Sequence, residues 1–193
     1  HIYGLNATTT YEYGFGDDAY GNQRSKQKVV LPEGNTSYTF ADEKGRVTST
    51  AQTDGSTYLN TKYGYNNLGE LLNVTDAEDK VTKYQYDNFG QKKFVIHPDN
   101  GSTVFDYYQT GQLKATANQN LQNNSQAVEY FYEFNRLSKV RYPSHVVNYD
   151  YGGINDTDHA KVRLKAVRDL TGARHFKYGA LGEVVEDKRV LVS

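Results

Sequence analysis

Apolar and polar residues alternate along this chain with a period of two, and the alternation restarts many times. In one segment Thr82, Tyr84 and Tyr86 fall on one side of an extended backbone, because residues two apart on a strand point the same way. Asp87, Asn88, Phe89 and Gly90 interrupt the pattern, and a second extended run follows with Phe94 and Ile96 on one face. No window places apolar residues convincingly at i, i+3, i+4 and i+7, so helices are not predicted. The pattern predicts an all-β chain of repeated antiparallel hairpins joined into a curved, open sheet.

The interrupted phrase recurs. Its cleanest copy is Tyr84-Gln85-Tyr86-Asp87-Asn88-Phe89-Gly90-Gln91. Other copies begin at Tyr63-Gly64-Tyr65, Phe105-Asp106-Tyr107 and Phe176-Lys177-Tyr178, with glycines at Gly69, Gly111 and Gly182. Eight units can be placed by their first aromatic: Tyr11, Tyr38, Tyr63, Tyr84, Phe105, Tyr130, Tyr149 and Phe176. A repeat at a fixed short period signals an array of one supersecondary unit. Residues 1–193 are therefore read as about eight hairpins without a separate domain. Longer steps carry insertions, of which Asn118–Ser125 and Gly152–Asp158 read as polar loops. The first unit is irregular, and the second has one extra residue between Phe40 and Gly45. The sixth, with Tyr130 and Tyr132, is one residue short and has Asn135 where others have glycine. The turn glycines Gly45, Gly69, Gly90, Gly111 and Gly182 are expected at positive φ, which glycine tolerates best and Asn next. Stacked hairpins would align the aromatic pairs into a ladder. Each hairpin is too small to be stable alone and depends on its neighbours for cover.

Composition agrees and removes several functions. Tyr is abundant (18), Trp and Cys are absent, and Pro is rare (3). Without Cys there are no disulfides and no thiolate metal sites. Net charge is −1 with no basic block, so a phosphate-binding footprint for nucleic acid is missing. No apolar run approaches membrane-spanning length, so membrane insertion is not expected. The chain lacks Met and is read as an excised or mature piece. Its two outer strands would then be unpaired edges, which predicts edge-to-edge homo-oligomers.

The Tyr-x-Tyr-Asp-x-x-Gly-x-Leu phrase resembles the YD repeat of RHS proteins, a group that includes bacterial polymorphic toxins, Tc-toxin shell components and teneurins. The structural signature carried over comprises Tyr63, Tyr65, Gly69, Tyr84, Tyr86, Asp87, Gly90, Phe105, Tyr107, Gly111, Tyr130, Tyr132, Phe176, Tyr178 and Gly182. Asp87 matches the family aspartate, whereas Asn66, Tyr108, Glu133 and Gly179 replace it. The resemblance implies a shell wall, secreted or displayed on a bacterial surface. Its partners would be the rest of its own shell and an enclosed C-terminal polypeptide such as a toxin. An aspartyl autoproteolytic segment of the family type is not found, Pro98-Asp99 being in the reverse order.

Reactive constellations are weak. The histidines His1, His97, His145, His159 and His175 lack metal spacing. The acidic stretches at Asp17-Asp18, Asp76–Asp79 and Asp156–Asp158 lack a calcium-loop pattern and read as solvated turns. Ser144 beside His145 would place the two on opposite faces of a strand. Gly14-Phe15-Gly16 lacks the third glycine of a dinucleotide site. Asn6, Asn35, Asn73, Asn100, Asn123 and Asn155 begin Asn-x-Ser/Thr sequons, as a composition rich in those residues produces. No catalytic residue, cofactor or metal is expected, and the chain is not read as an enzyme. Two functions stay open here: a shell segment, and a cell-surface adhesion module that binds a carbohydrate or a protein through Tyr-rich patches.

Overall fold

The computed structural model describes residues 8–53, 55–156 and 159–192. Sixteen strands follow one another: β1 (Thr10–Asp17), β2 (Gln23–Val30), β3 (Thr36–Ala41), β4 (Val47–Thr53), β5 (Tyr58–Tyr65), β6 (Leu71–Thr75), β7 (Val81–Tyr86), β8 (Lys92–His97), β9 (Gly101–Tyr107), β10 (Leu113–Asn118), β11 (Val128–Glu133), β12 (Arg136–Arg141), β13 (Val146–Tyr151), β14 (Leu164–Asp169), β15 (Gly172–Tyr178) and β16 (Val184–Leu191). They form one open antiparallel sheet in strict chain order. The chain divides into two compact units, His1–Ser102 and Thr103–Ser193. The first aromatic of each sequence repeat lies on an odd-numbered strand, and the even-numbered strand is its return.

A five-residue turn closes most hairpins. Asp87 N–H donates to the Gln91 carbonyl at 2.9 Å, and Gly90 N–H donates back to the Asp87 carbonyl at 3.1 Å. Gly90 takes φ 76° to allow this, and Gly45, Gly69, Gly111 and Gly182 likewise have positive φ. The Asp87 carboxylate accepts from the N–H groups of Phe89 and Gln91, both at 2.9 Å. A short polar side chain that satisfies its own backbone is why Asp and Asn recur here. Asp42 and Asn66 act in the same way. The same turn also joins successive hairpins at Leu31–Asn35 and at Asp76–Lys80.

Beside each such turn the ladder slips by one residue. All hairpins from β3–β4 to β15–β16 show this register shift. In β7–β8, Gln85 faces Phe94 but Tyr86 faces Lys92, so Lys93 is extra. This is a β-bulge, which leaves part of the ladder unpaired.

Three sequence expectations are corrected. The Asn118–Ser125 insertion contains a one-turn helix, α1 (Gln119–Asn123), because the Asn118 side chain caps it by accepting from Leu121 N–H. The aromatic ladder is not continuous, since Tyr38 faces Ala51 and Ala51 faces Asn60. The neighbouring row runs Thr39, Thr50, Thr61 and so holds the face of Tyr63. One extra residue before the turn flips an alternating strand, so Tyr38 and Phe40 point to the other face and meet Tyr58 there. Phe94 and Ile96 share a face as expected, but it is the one opposite Tyr84, whose cross-strand neighbour is Val95.

The buried apolar residues among those described are small: Ala51, Ala117, Val140, Ala160 and Ala166. The larger rings are half-buried or exposed. Stability therefore rests on lateral coverage, each hairpin lying against the next. Gly90→Val is expected to destabilise the fold by about 1–2 kcal/mol, the cost of a β-branched side chain in the left-handed region. A thermal melt followed by circular dichroism checks this.

Candidate functional site

The feature that recurs between hairpins is a bond from a tyrosine hydroxyl to a backbone carbonyl. Tyr65 Oη donates to the Val47 carbonyl at 2.9 Å. Tyr86 Oη donates to Leu71 at 3.0 Å, Tyr151 to Leu137 at 3.0 Å, and Tyr178 to Leu164 at 2.6 Å. In each case the acceptor is the first residue of the return strand in the preceding hairpin. That is the residue beside the bulge, where the ladder is disrupted. The acceptors Leu71, Leu137 and Leu164 in turn face the second tyrosine of their own hairpin, Tyr65, Tyr132 and Tyr151. The tyrosine thus ties hairpin to hairpin at the point where each sheet ladder is weakest. Burial pushes the hydroxyls of Tyr65 and Tyr86 up from their ordinary value, which keeps them protonated donors.

An arginine completes three of these joints. Arg46, Arg136 and Arg163 each precede an accepting residue and lie over the incoming ring of Tyr65, Tyr151 and Tyr178, at 5.1, 4.6 and 5.6 Å from the centroids. Such cation–π contacts are attractive. Arg46 also bonds Asp42 Oδ2 at 2.7 Å and the Asn66 carbonyl at 3.2 Å, joining one turn to the next. Asp18 is held in a comparable way. Its carboxylate accepts from Tyr20 and Asn22 N–H groups and pairs with Arg24. Burial alone would raise the carboxyls of Asp18 and Asp42. The surrounding N–H groups and arginines outweigh it and hold both below the ordinary aspartate value of 3.8. A cleft of about 600 Å³ lies among Asp18, Arg24, Asp42, Arg46, Tyr63 and Asn73. Its four charged side chains are engaged with one another or with turn amides.

The first-position rings Tyr63, Tyr84, Phe105, Tyr130 and Phe176 face Val74, Val95, Thr116, Val140 and Asp187 across their hairpins. They make no carbonyl joint of this kind, consistent with the occurrence of Phe at that position. Tyr107 faces Leu113 at its bulge. Tyr132 meets Tyr108 edge-on, and Tyr108 Oη donates to the Tyr130 carbonyl at 3.1 Å. Where the turn aspartate is replaced, the structure supplies another solution. Phe134 and Asn135 form a two-residue turn, both at positive φ, that needs no aspartate. At Gly179 the Glu183 carboxylate fills the space a side chain would take, and it accepts from Leu181 N–H at 3.0 Å. The tyrosine-to-carbonyl joint is the functional feature that the pattern of rings alone did not reveal. Its signal is that the second position is Tyr in every unit from Tyr65 onward, whereas the first admits Phe.

No group of three or more His, Asp or Glu suited to a metal occurs among the described residues. Ser144 Oγ and His145 Nδ1 are 3.0 Å apart, which corrects the expectation that they diverge. They lie in the turn between β12 and β13, not within a strand, and the imidazole stacks on Tyr142. His97 Nδ1 accepts from Asp99 N–H, a local turn contact. His1 and Asn6 lie outside the described residues.

Tyr86→Phe is expected to cost about 0.5–1.5 kcal/mol in urea unfolding, and Tyr84→Phe less than half of that. Acid should weaken the fold through Asp18 and Asp42. A carboxyl held below its unfolded value contributes stability above 3.8 that is lost as pH falls through the lowered value. Asp42→Asn, which keeps the turn acceptor as Asn66 does, should flatten the dependence of melting temperature on pH below 3.8.

The RHS Repeat family matches residues 65–103. No curated protein matches the chain significantly. Among solved structures, "TcdB2-TccC3 without hypervariable C-terminal region" aligns with 91% of this chain at 15% identity and TM-score 0.59. "TcdB2-TccC3" aligns with 91% at 15% identity and TM-score 0.57. The Photorhabdus luminescens Tc holotoxin pore aligns with 92% at 16% identity and TM-score 0.56. The chain spans only 11–12% of the length of those chains. It shares their fold across nearly its whole described length and carries the repeat itself at residues 65–103, and on these grounds it is an RHS/YD-repeat protein.

Proposed function

We propose that this chain is a segment of an RHS shell wall, secreted or surface-displayed by a bacterium, which encloses or presents another polypeptide. The observation that carries this reading is the recurring tyrosine joint to the bulge of the preceding hairpin. It fastens neighbouring hairpins at fixed register without any reactive group, which is what a wall requires and a catalyst does not. The likeness to Tc-toxin structures supports the same role. No described helix is long and apolar enough to cross a membrane. The signature residues Tyr63 to Gly182 serve in this proposal as wall-building positions, and the eight hairpins as one continuous stretch. Its partners are the remaining wall and the enclosed polypeptide.

Limited proteolysis of the full-length protein tests it. With Tyr65, Tyr86, Tyr151 and Tyr178 changed to Phe, the carried polypeptide is expected to become protease-sensitive well below the temperature at which the unaltered protein releases it. Equal protection in both proteins would overturn the reading. Equal protection together with glycan binding that is lost in Tyr38→Ala and Tyr58→Ala would favour an adhesion module instead. Those two rings stand on the face away from the wall-building tyrosines.

A further inference from the structure

The five most exposed large hydrophobic residues among those described all sit at the tips of hairpin turns. They are Leu181 (94%), Phe134 (91%), Phe89 (89%), Leu68 (86%) and Ile154 (78%). In an antiparallel sheet in chain order, the turns within hairpins all emerge at one end of the strands. In the first unit that end carries Leu68 and Phe89, with half-exposed Tyr20. In the second unit it carries Phe134, Ile154 and Leu181.

Turn geometry does not require these side chains. The opposite end of the first unit uses the same five-residue turn at Leu31–Asn35 and Asp76–Lys80. There the position equivalent to Leu68 and Phe89 is held by Glu33 and Glu78, both exposed. One turn therefore accepts a carboxylate at one end and a fully hydrated leucine or phenylalanine at the other. Exposed apolar groups in a set of this kind mark an interaction surface.

We infer that this apolar row of turn tips is a docking surface for the same row on a second copy of the chain. Leu68 and Phe89 stand two strands apart, about 10 Å along the sheet end. A second copy offers knobs at the same interval, and a two-fold relation lets each row fill the gaps of the other. Charge argues against a bilayer as the occupant. Glu70 and Asp87 flank the tips of the first unit, and Glu133 and Glu183 those of the second, whereas surfaces that bind anionic lipid are basic. This surface lies at the strand ends and differs from an edge strand, which associates through unpaired backbone. The inference also holds independently of whether the chain encloses a polypeptide.

The absence of native cysteine gives a clean test. Leu68→Cys and Glu33→Cys are made singly and oxidised at equal concentration. Disulfide-linked dimers should form about tenfold faster or more from Leu68→Cys, as docking raises the effective thiol concentration. Leu68→Glu with Phe89→Glu should shift sedimentation equilibrium toward monomer. Because Glu33 and Glu78 already occupy this position, the melting curve of the double variant should be unchanged, separating lost docking from lost folding. Equal cross-linking at the two positions, or unaltered association in the double variant, would overturn the inference. So would binding to phosphatidylcholine vesicles that the double variant loses, which would assign the tips to a membrane.

Discussion

A sheet whose fully buried apolar residues are alanine and valine has little core, so each hairpin must be held by its neighbours. The bond from a tyrosine hydroxyl to the bulge carbonyl of the preceding hairpin meets that constraint. It acts where the ladder has slipped and where a carbonyl would otherwise lack a donor. The bulge and the tyrosine therefore make one device. Without the bulge there is no carbonyl to reach, and without the hydroxyl the bulge weakens the sheet. The turn completes it, because glycine at positive φ and the Asx side chain set the return strand one residue out of register.

The device tolerates variation when another group takes over the same physical task. Glu183 reaches into the space left at Gly179 and accepts the amide that an aspartate would. A two-residue turn at Phe134–Asn135 dispenses with the acceptor altogether. Arg46 combines ion pairing with Asp42, a bond to the Asn66 carbonyl and cover for Tyr65. These replacements explain how a repeat can drift in sequence while its joints stay in place. They also account for the depressed acidities of Asp18 and Asp42, which arise from turn amides and arginines and not from a reactive centre.

Unit two shows how far local pattern can mislead. Tyr38 and Phe40 look like the aromatic pair of the other units, yet one additional residue before Asp42 sends them to the opposite face. Ser144 and His145 show the same dependence on context. Neighbours on a strand diverge, but in the turn before β13 they approach to hydrogen-bonding distance. In the Asn118–Ser125 insertion, a capping asparagine was enough to nucleate one helical turn that apolar periodicity did not signal.

From sequence alone came the all-β class, the hairpin period, the turn glycines and the identity of the repeat. All of these follow from local chemistry: alternation of side chains, the φ freedom of glycine and the turn preference of Asp and Asn. Only the tertiary structure assigned a face to each ring, turned the second tyrosines into joints and left Leu68, Phe89, Phe134 and Leu181 at the tips in water. Those outcomes depend on register between strands. A slip of one residue at each bulge changes which carbonyl lies within reach of a hydroxyl, and no single hairpin contains that information.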